Sequence, residues 1–248
     1  MTYSTAASFQ YTEVCRGCPS RSSHLRSFRG TRYLGLAFSG AEVLHWIERF
    51  HQSDTLCCGR GHTLSHPDLT RLSRAAKENE IASGKKWLED VTGKTVAMFC
   101  YPFGRFDTET KASVAKAGFK GARTTRQFVL APQPDRFALA TTLHAHPMVL
   151  RRDNARDFGA YFLSSTGGAN RWRGSLGVVT SMLRGWPRFA EALFRRAARD
   201  PDAVFHLWGH SWEIEASNMW GQLDSFLRCV SSVAARFETN EEVQQPRH

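Results

Sequence analysis

Residues 96–101, VAMFCY, form an unbroken apolar run closed by Pro102-Phe103-Gly104. A run that does not alternate reads as a strand buried on both faces, and such strands sit in parallel sheets covered by helices. The flanking pattern agrees. Before the run lies a helical stretch of about twenty residues, in which Ile81, Trp87, Leu88 and Val91 are set among Lys and Glu and Gly93 supplies the stop. After it, Asp107 is a good N-cap for a helix through about Ala117, with Val114 and Ala117 on its inner face and Gly118 at its end. FKGARTT is a plausible next strand. Helix and strand in alternation, joined by short loops, predict an α/β architecture.

Further along, FALATTLHAHP suggests a strand, DNARDFGAYFLSS a helix and STGGANRWRGS a loop. Trp186 to Arg199 reads as a helix with Phe189, Leu193 and Phe194 on one face, broken by Asp200-Pro201. AVFHLWGHSWEIE then reads as a buried strand running into a loop, followed by a helix over roughly 219–237 with Leu223, Phe226, Leu227 and Val230 inward. The first quarter differs. Four of the six cysteines fall before residue 59, and CRGCPSRSSHLRSFRG has neither a helical nor an alternating period. Within that quarter TRYLGLAF is a candidate short strand and GAEVLHWIERF a candidate helix. The organisation expected is an atypical segment over 1–58, disordered or unrelated to the rest, one α/β domain over 59–237 and a frayed tail over 238–248. A chain of 248 residues with 42% hydrophobic content can bury one sizeable core.

Charge and targeting narrow the function classes. The net charge of +10 would suit acidic partners, yet it is spread thinly in short pairs such as Arg151-Arg152 and Arg195-Arg196. No basic arm for nucleic acid stands out, so none is expected as a partner. MTYSTAASFQYTEV lacks an export signal and no window is apolar enough for a membrane span, so the expectation is a cytoplasmic chain with reduced thiols. Oligomeric state is left open.

Three stretches could carry chemistry. In RGHTLSHPDL, His62 and His66 are four apart, a spacing that on a helical turn lets two imidazoles share one divalent ion. Alternatively His62 and Thr63 cap a turn that His66-Pro67 ends, or Cys58, His62 and His66 form a structural zinc knot. In CYPFG, Pro102 fixes the backbone and Gly104 allows a sharp turn after Phe103, so main-chain amides can face a developing oxyanion; an ordinary strand-to-loop turn is the plainer reading. In FHLWGHSWEIE, the two-residue period sets Phe205 and Leu207 on one face and His206, Trp208 and His210 on the other. A histidine there can act as general acid and tryptophans can stack sugar rings, although a core Trp beside hydrogen-bonded histidines fits as well.

Taken in this order, HTLSHPDL, CYPFG and HLWGHSWEIE resemble the motifs of the polysaccharide deacetylase (NodB-homology) family of metal-dependent carbohydrate esterases, over about residues 60–237. The resemblance implies a distorted (β/α) barrel and hydrolysis of an acetyl or similar acyl group from an amide nitrogen of a sugar or small amide. It implies that His62 and His66 bind a divalent metal, with zinc the usual ion, and that the amide near Phe103 holds the oxyanion. His210, preferred to His206, would protonate the leaving amine. Tyr101, Pro102, His206, Trp208 and Trp212 become candidate substrate-binding residues. Two departures stand out. Cys100 occupies the position where many members have Arg. The family's opening Thr-Phe-Asp-Asp strand, source of a metal ligand and the general base, has no counterpart: the sole Asp before His62 is Asp54, and LAFSG at 36–40 has Ser39 and Gly40 in place of the acids. A barrel lacking a normal first strand is therefore expected, with Asp54 or Cys58 as substitute ligands, or else a catalytically inactive carbohydrate-binding relic.

Overall fold

The computed structural model describes residues 6–9, 61–165, 177–178, 180–231, 233, 240–241 and 243. The proposed strand at TRYLGLAF, the helix at GAEVLHWIERF, the stand-ins Asp54 and Cys58, and most of the STGGANRWRGS loop lie outside them. The chain divides into two compact units, one formed by residues 1–9 and 124–248 and the other by residues 10–123.

In the second of these, Gly61 bridges Phe99 in parallel, and α1 (Arg74–Thr92) leads from it to β2 (Met98–Cys100). From β2 the chain runs through α2 (Thr108–Lys116) to β3 (Gly121–Arg123), which pairs parallel with β2. Helix, strand, helix and strand thus follow each other as the periodicity predicts, preceded by the isolated bridge at Gly61. The caps are those of the sequence: Gly93 ends α1 in the left-handed conformation at φ +63°, and the Asp107 carboxylate accepts from the Thr110 amide at 2.7 Å. Ser73 caps the start of α1. Leu69, Ile81, Leu88, Phe99, Tyr101, Val114 and Phe119 form the core. Lys77 is buried among them and reaches Glu109 at 2.9 Å and Asp107 at 3.7 Å, a tie between α1 and the start of α2.

The other unit holds a parallel sheet in the order β1 (Ala6–Phe9), β5 (Val204–Trp208), β4 (Leu143–His144). Ala6 pairs with Val204 and Phe9 with Leu207, so a strand arises in the stretch that reads as irregular. The expected strand FALATTLHAHP shortens to two residues. Around the sheet come α3 (Ala155–Ser165), α4 (Trp186–Ala197), α5 (Ser211–Ala216) and α6 (Trp220–Ser231). Phe194 and Phe226 flank Phe205 at ring-centroid distances of 5.5 and 5.8 Å, which seats the inward face of β5 on α4 and α6. One expectation needs correcting: beyond Trp208 the chain does not run on as a loop. After Gly209 it turns into the short helix α5, whose first turn is closed by the amides of Glu213 and Ile214 donating to the His210 carbonyl, both at 3.1 Å. The molecule is α/β, and each strand pairing among the described residues is parallel.

Candidate functional site

His62 and His66 do converge, but not on a helical turn as their spacing suggests. The chain from 62 to 68 is irregular, with Thr63 at φ +65° and His66 at φ +61°, left-handed values that cost energy outside glycine. The surroundings hold this shape. The Thr63 hydroxyl accepts from the His66 amide at 3.0 Å, while the Glu80 carboxylate on α1 accepts from the amides of Leu64 and Ser65 at 3.0 and 2.9 Å. Gly84, one turn further along α1, lets that backbone come close: a Cβ there would lie 2.5 Å from the Thr63 carbonyl carbon. Gly84→Ala is therefore expected to destabilise the protein by about 1–3 kcal/mol and to weaken metal uptake in parallel, measured by urea unfolding and zinc titration. Wild-type values for both would show that the loop does not need the close approach.

The two rings meet edge to face with centroids 4.5 Å apart. His62 is buried, and its Nδ1 lies 2.7 Å from the Cys100 carbonyl oxygen, an acceptor that requires Nδ1 to carry the proton. The lone pair of the neutral ring is then on Nε2, which is how a carbonyl orients a metal-binding imidazole. The donor set therefore fits two ligands to a divalent ion, and neutral imidazoles suit zinc. Asp68, next to the motif, is engaged elsewhere: Thr70 and Arg105 bond it, at 2.6 and 2.7 Å, and hold its carboxyl below the usual range.

His66 also touches the Phe103 ring, centroids 4.7 Å apart. Phe103 sits at φ +57° at the tip of the Pro102–Gly104 turn and is 57% exposed, a large apolar side chain facing solvent. The turn takes up the amides of Gly104 and Arg105, which donate to the Tyr101 and Pro102 carbonyls at 2.9 and 3.1 Å. The amide of Phe103 is not used that way. Tyr101 and Pro102, expected to touch substrate, are buried instead, with Tyr101 stacked on Phe106 at 4.7 Å. They support the turn from beneath.

The third motif belongs to the other unit. His206 is buried in mid-strand, its backbone amide donating to the Thr142 hydroxyl at 3.0 Å, so it is part of the sheet core rather than a substrate contact. Trp208 is 5% exposed and lies against His144 at 3.9 Å with an interplanar angle of 9°, because β4 and β5 place these two residues side by side. The sugar-stacking face expected of Trp208 is covered by that imidazole. Trp212 lies in α5. His210, one-third exposed where β5 gives way to α5, is the accessible histidine of this motif.

Around His210 is a chain of polar groups that the motifs do not announce. Glu213, one helical turn on, places Oε2 2.6 Å from His210 Nδ1 and 2.8 Å from His144 Nε2. On its other side His144 Nδ1 meets an Arg151 guanidinium nitrogen at 2.8 Å, and Asp153 holds Arg151 through bonds of 3.0 and 2.9 Å. Arginine can only donate, so Nδ1 of His144 carries a lone pair and Nε2 carries the proton given to Glu213. Burial first of all, together with the Arg151 charge, pushes His144 down to about 4 against the pull of Glu213, and it is neutral at pH 7. Burial pushes Glu213 up, but the hydrogen bonds from the two histidines more than offset it, and the carboxylate stays ionised.

His144, His210 and Glu213 each bring a ligand-capable atom within 4.8 Å of the others, the one such group of three or more among the described residues. A cation could enter only by displacing the Glu213 bonds beside the Arg151 charge, so the cluster is better suited as a hydrogen-bond chain. His144, Arg151 and Glu213 were the residues the motif pattern missed. The sequence signals were HAH in a predicted strand and an acid three residues after His210.

Comparison with known proteins agrees with the motif reading. Residues 59–122 match the model of the polysaccharide deacetylase family. The putative polysaccharide deacetylase YxkH of Bacillus subtilis is 30% identical over 64 residues, which cover 26% of this chain and 23% of that protein. Similar solved structures include the Streptococcus pyogenes deacetylase PplD in complex with acetate, at 22% identity and TM-score 0.37, covering 40% of this chain and 43% of that one. Another is BA3943 of Bacillus anthracis, a family 4 carbohydrate esterase pseudoenzyme, at 13% identity and TM-score 0.42, covering 77% of this chain and 47% of that one. This chain thus spans less than half the length of each. Among the described residues, no helix is long and apolar enough to cross a membrane.

Proposed function

We propose that this chain is a metal-dependent hydrolase that removes an acetyl or similar acyl group from an amide nitrogen of a sugar or small amide, in a distorted (β/α) barrel of the deacetylase type. The observation that carries it is the family-matched segment with His62 and His66 convergent and His62 already held in the ligand tautomer. A divalent ion on that pair, zinc by donor type, would polarise the acyl carbonyl and activate water. The Phe103 amide holds the developing oxyanion. His210, backed by Glu213, hands a proton to the leaving amine.

The purified chain should take up about one zinc and release acetate from N-acetylated sugar oligomers. The double variant His62→Ala, His66→Ala should lose both, read by metal analysis and acetate assay; unchanged zinc content would sink the assignment. One observation favours a second reading. The sequence carries Ser39 and Gly40 where the family motif has its two acids, as in a relic that binds carbohydrate without turnover. That reading predicts glycan retention with no acetate release, and turnover dependent on His210 would reject it.

A further inference from the structure

We infer that His144, locked by Arg151, is a positioning residue that acts through Glu213 to set the orientation and tautomer of His210. This role rests on the reading of His210 as proton donor, and it adds residues that neither the motifs nor that reading contain.

The logic follows donors and acceptors along the chain. Asp153 fixes the Arg151 fork with two bonds, and the fork presents a donor to His144 Nδ1 at 2.8 Å. With that nitrogen forced to accept, Nε2 of a neutral ring must donate, and its target at 2.8 Å is Glu213 Oε2. Trp208, stacked at 3.9 Å, stops the imidazole from tilting, and the parallel register of β4 on β5 fixes where the stack lies. Glu213 Oε2 is thus held from one side by a donor that cannot reverse. It accepts from His210 Nδ1 at 2.6 Å on the other, which assigns the proton of His210 to Nδ1 and makes Nε2 the nitrogen that serves substrate.

One further histidine lies beside this carboxylate: His146 accepts the Met148 amide on Nδ1 at 3.0 Å, and its Nε2 lies 3.8 Å from Glu213 Oε1. If His144 were protonated on both nitrogens, Nδ1–H would confront the guanidinium, donor against donor. The same carboxylate would then answer to an imidazolium as well as to His210. Arg151 prevents this, so the charge that reaches His210 is that of an ionised Glu213 beside a neutral ring.

The test uses the full chain with 15N-labelled histidine, reading ring tautomers from long-range 15N–1H correlation spectra. In the wild type at pH 7.5, His144 should show Nε2–H and His210 Nδ1–H. His144→Phe keeps an aromatic ring for Trp208 but ends both bonds. It should lower the ratio of Nδ1–H to Nε2–H forms of His210 by about twofold or more and reduce kcat for acetate release by about 10-fold with KM unchanged. Arg151→Gln replaces the charged fork with a neutral amide that can present either its oxygen or its nitrogen; His144 should then take up its second proton at higher pH than in the wild type, and kcat should fall in the same direction. Arg151→Lys, which still donates, should restore part of both signals. His210 signals identical to wild type in both His144→Phe and Arg151→Gln would overturn the positioning role, even with His210→Ala inactive. Full acetate release by His210→Ala would instead remove the reading on which the role rests, whatever the tautomers show.

Discussion

His210→Ala is expected to reduce acetate release by about 10²–10⁴-fold while zinc uptake stays at the wild-type level. The first half follows from accessibility. Of the two histidines in the last motif, His206 is buried in mid-strand and His210 stands one-third exposed with its Nδ1 committed to Glu213. The second half follows from where the proposed ligands lie, since His62 and His66 belong to the other unit and are organised by Cys100, Thr63 and Glu80. His206→Ala should behave differently: it opens a core cavity, lowers stability and shifts activity only as far as folded protein is lost. Assays at equal folded concentration separate the two. A His210→Ala protein that loses zinc together with activity would contradict the assignment of separate roles.

The second large effect is on acid stability. The folded pKa of His144, about 4, lies below the ordinary 6.5, so between those values the unfolded chain binds the proton that the folded one refuses. Its stabilising contribution is therefore complete above about pH 6.5 and is lost as pH falls towards 4, a total of ~3 kcal/mol. Glu213, depressed from 4.5, contributes stability that is lost only further down, below about pH 4.5. Urea midpoints at pH 7 and pH 5 isolate the histidine. The wild type should lose stability between them and His144→Phe should lose far less. Equal slopes in the two proteins would show that His144 is not held neutral.

What could be read from sequence divides along the range of the interaction involved. The helix ended by Gly93, the helix started by Asp107 and the apolar strand at 98–100 each obey rules that act within a few residues, and each stands where expected. The helix α5 escapes the sequence pattern because its six residues are too few to show a helical period, although the acid at 213 sits one turn after His210. The pairing of Ala6–Phe9 with Val204–Leu207 joins opposite ends of the chain, and no local pattern marks a parallel partner so distant. The His62 and His66 pair was legible as a spacing but not as a shape: left-handed Thr63 and His66 follow from Glu80 and Gly84, outside the motif. The Trp208 platform failed for a similar reason, since its cover, His144, arrives from another strand.

The loop that carries the two histidines depends on a carboxylate and a missing side chain located on the helix behind it. Transplanting HTLSH alone into another scaffold would move the two histidines without the mould that bends them together. The smallest portable block around the proposed metal site is the span from Gly61 to Gly84 with the strand that supplies the Cys100 carbonyl. Designers borrowing this motif should copy that whole block, and searches for degenerate relatives should weigh an acid at the Glu80 position and a glycine at the Gly84 position alongside the histidines themselves.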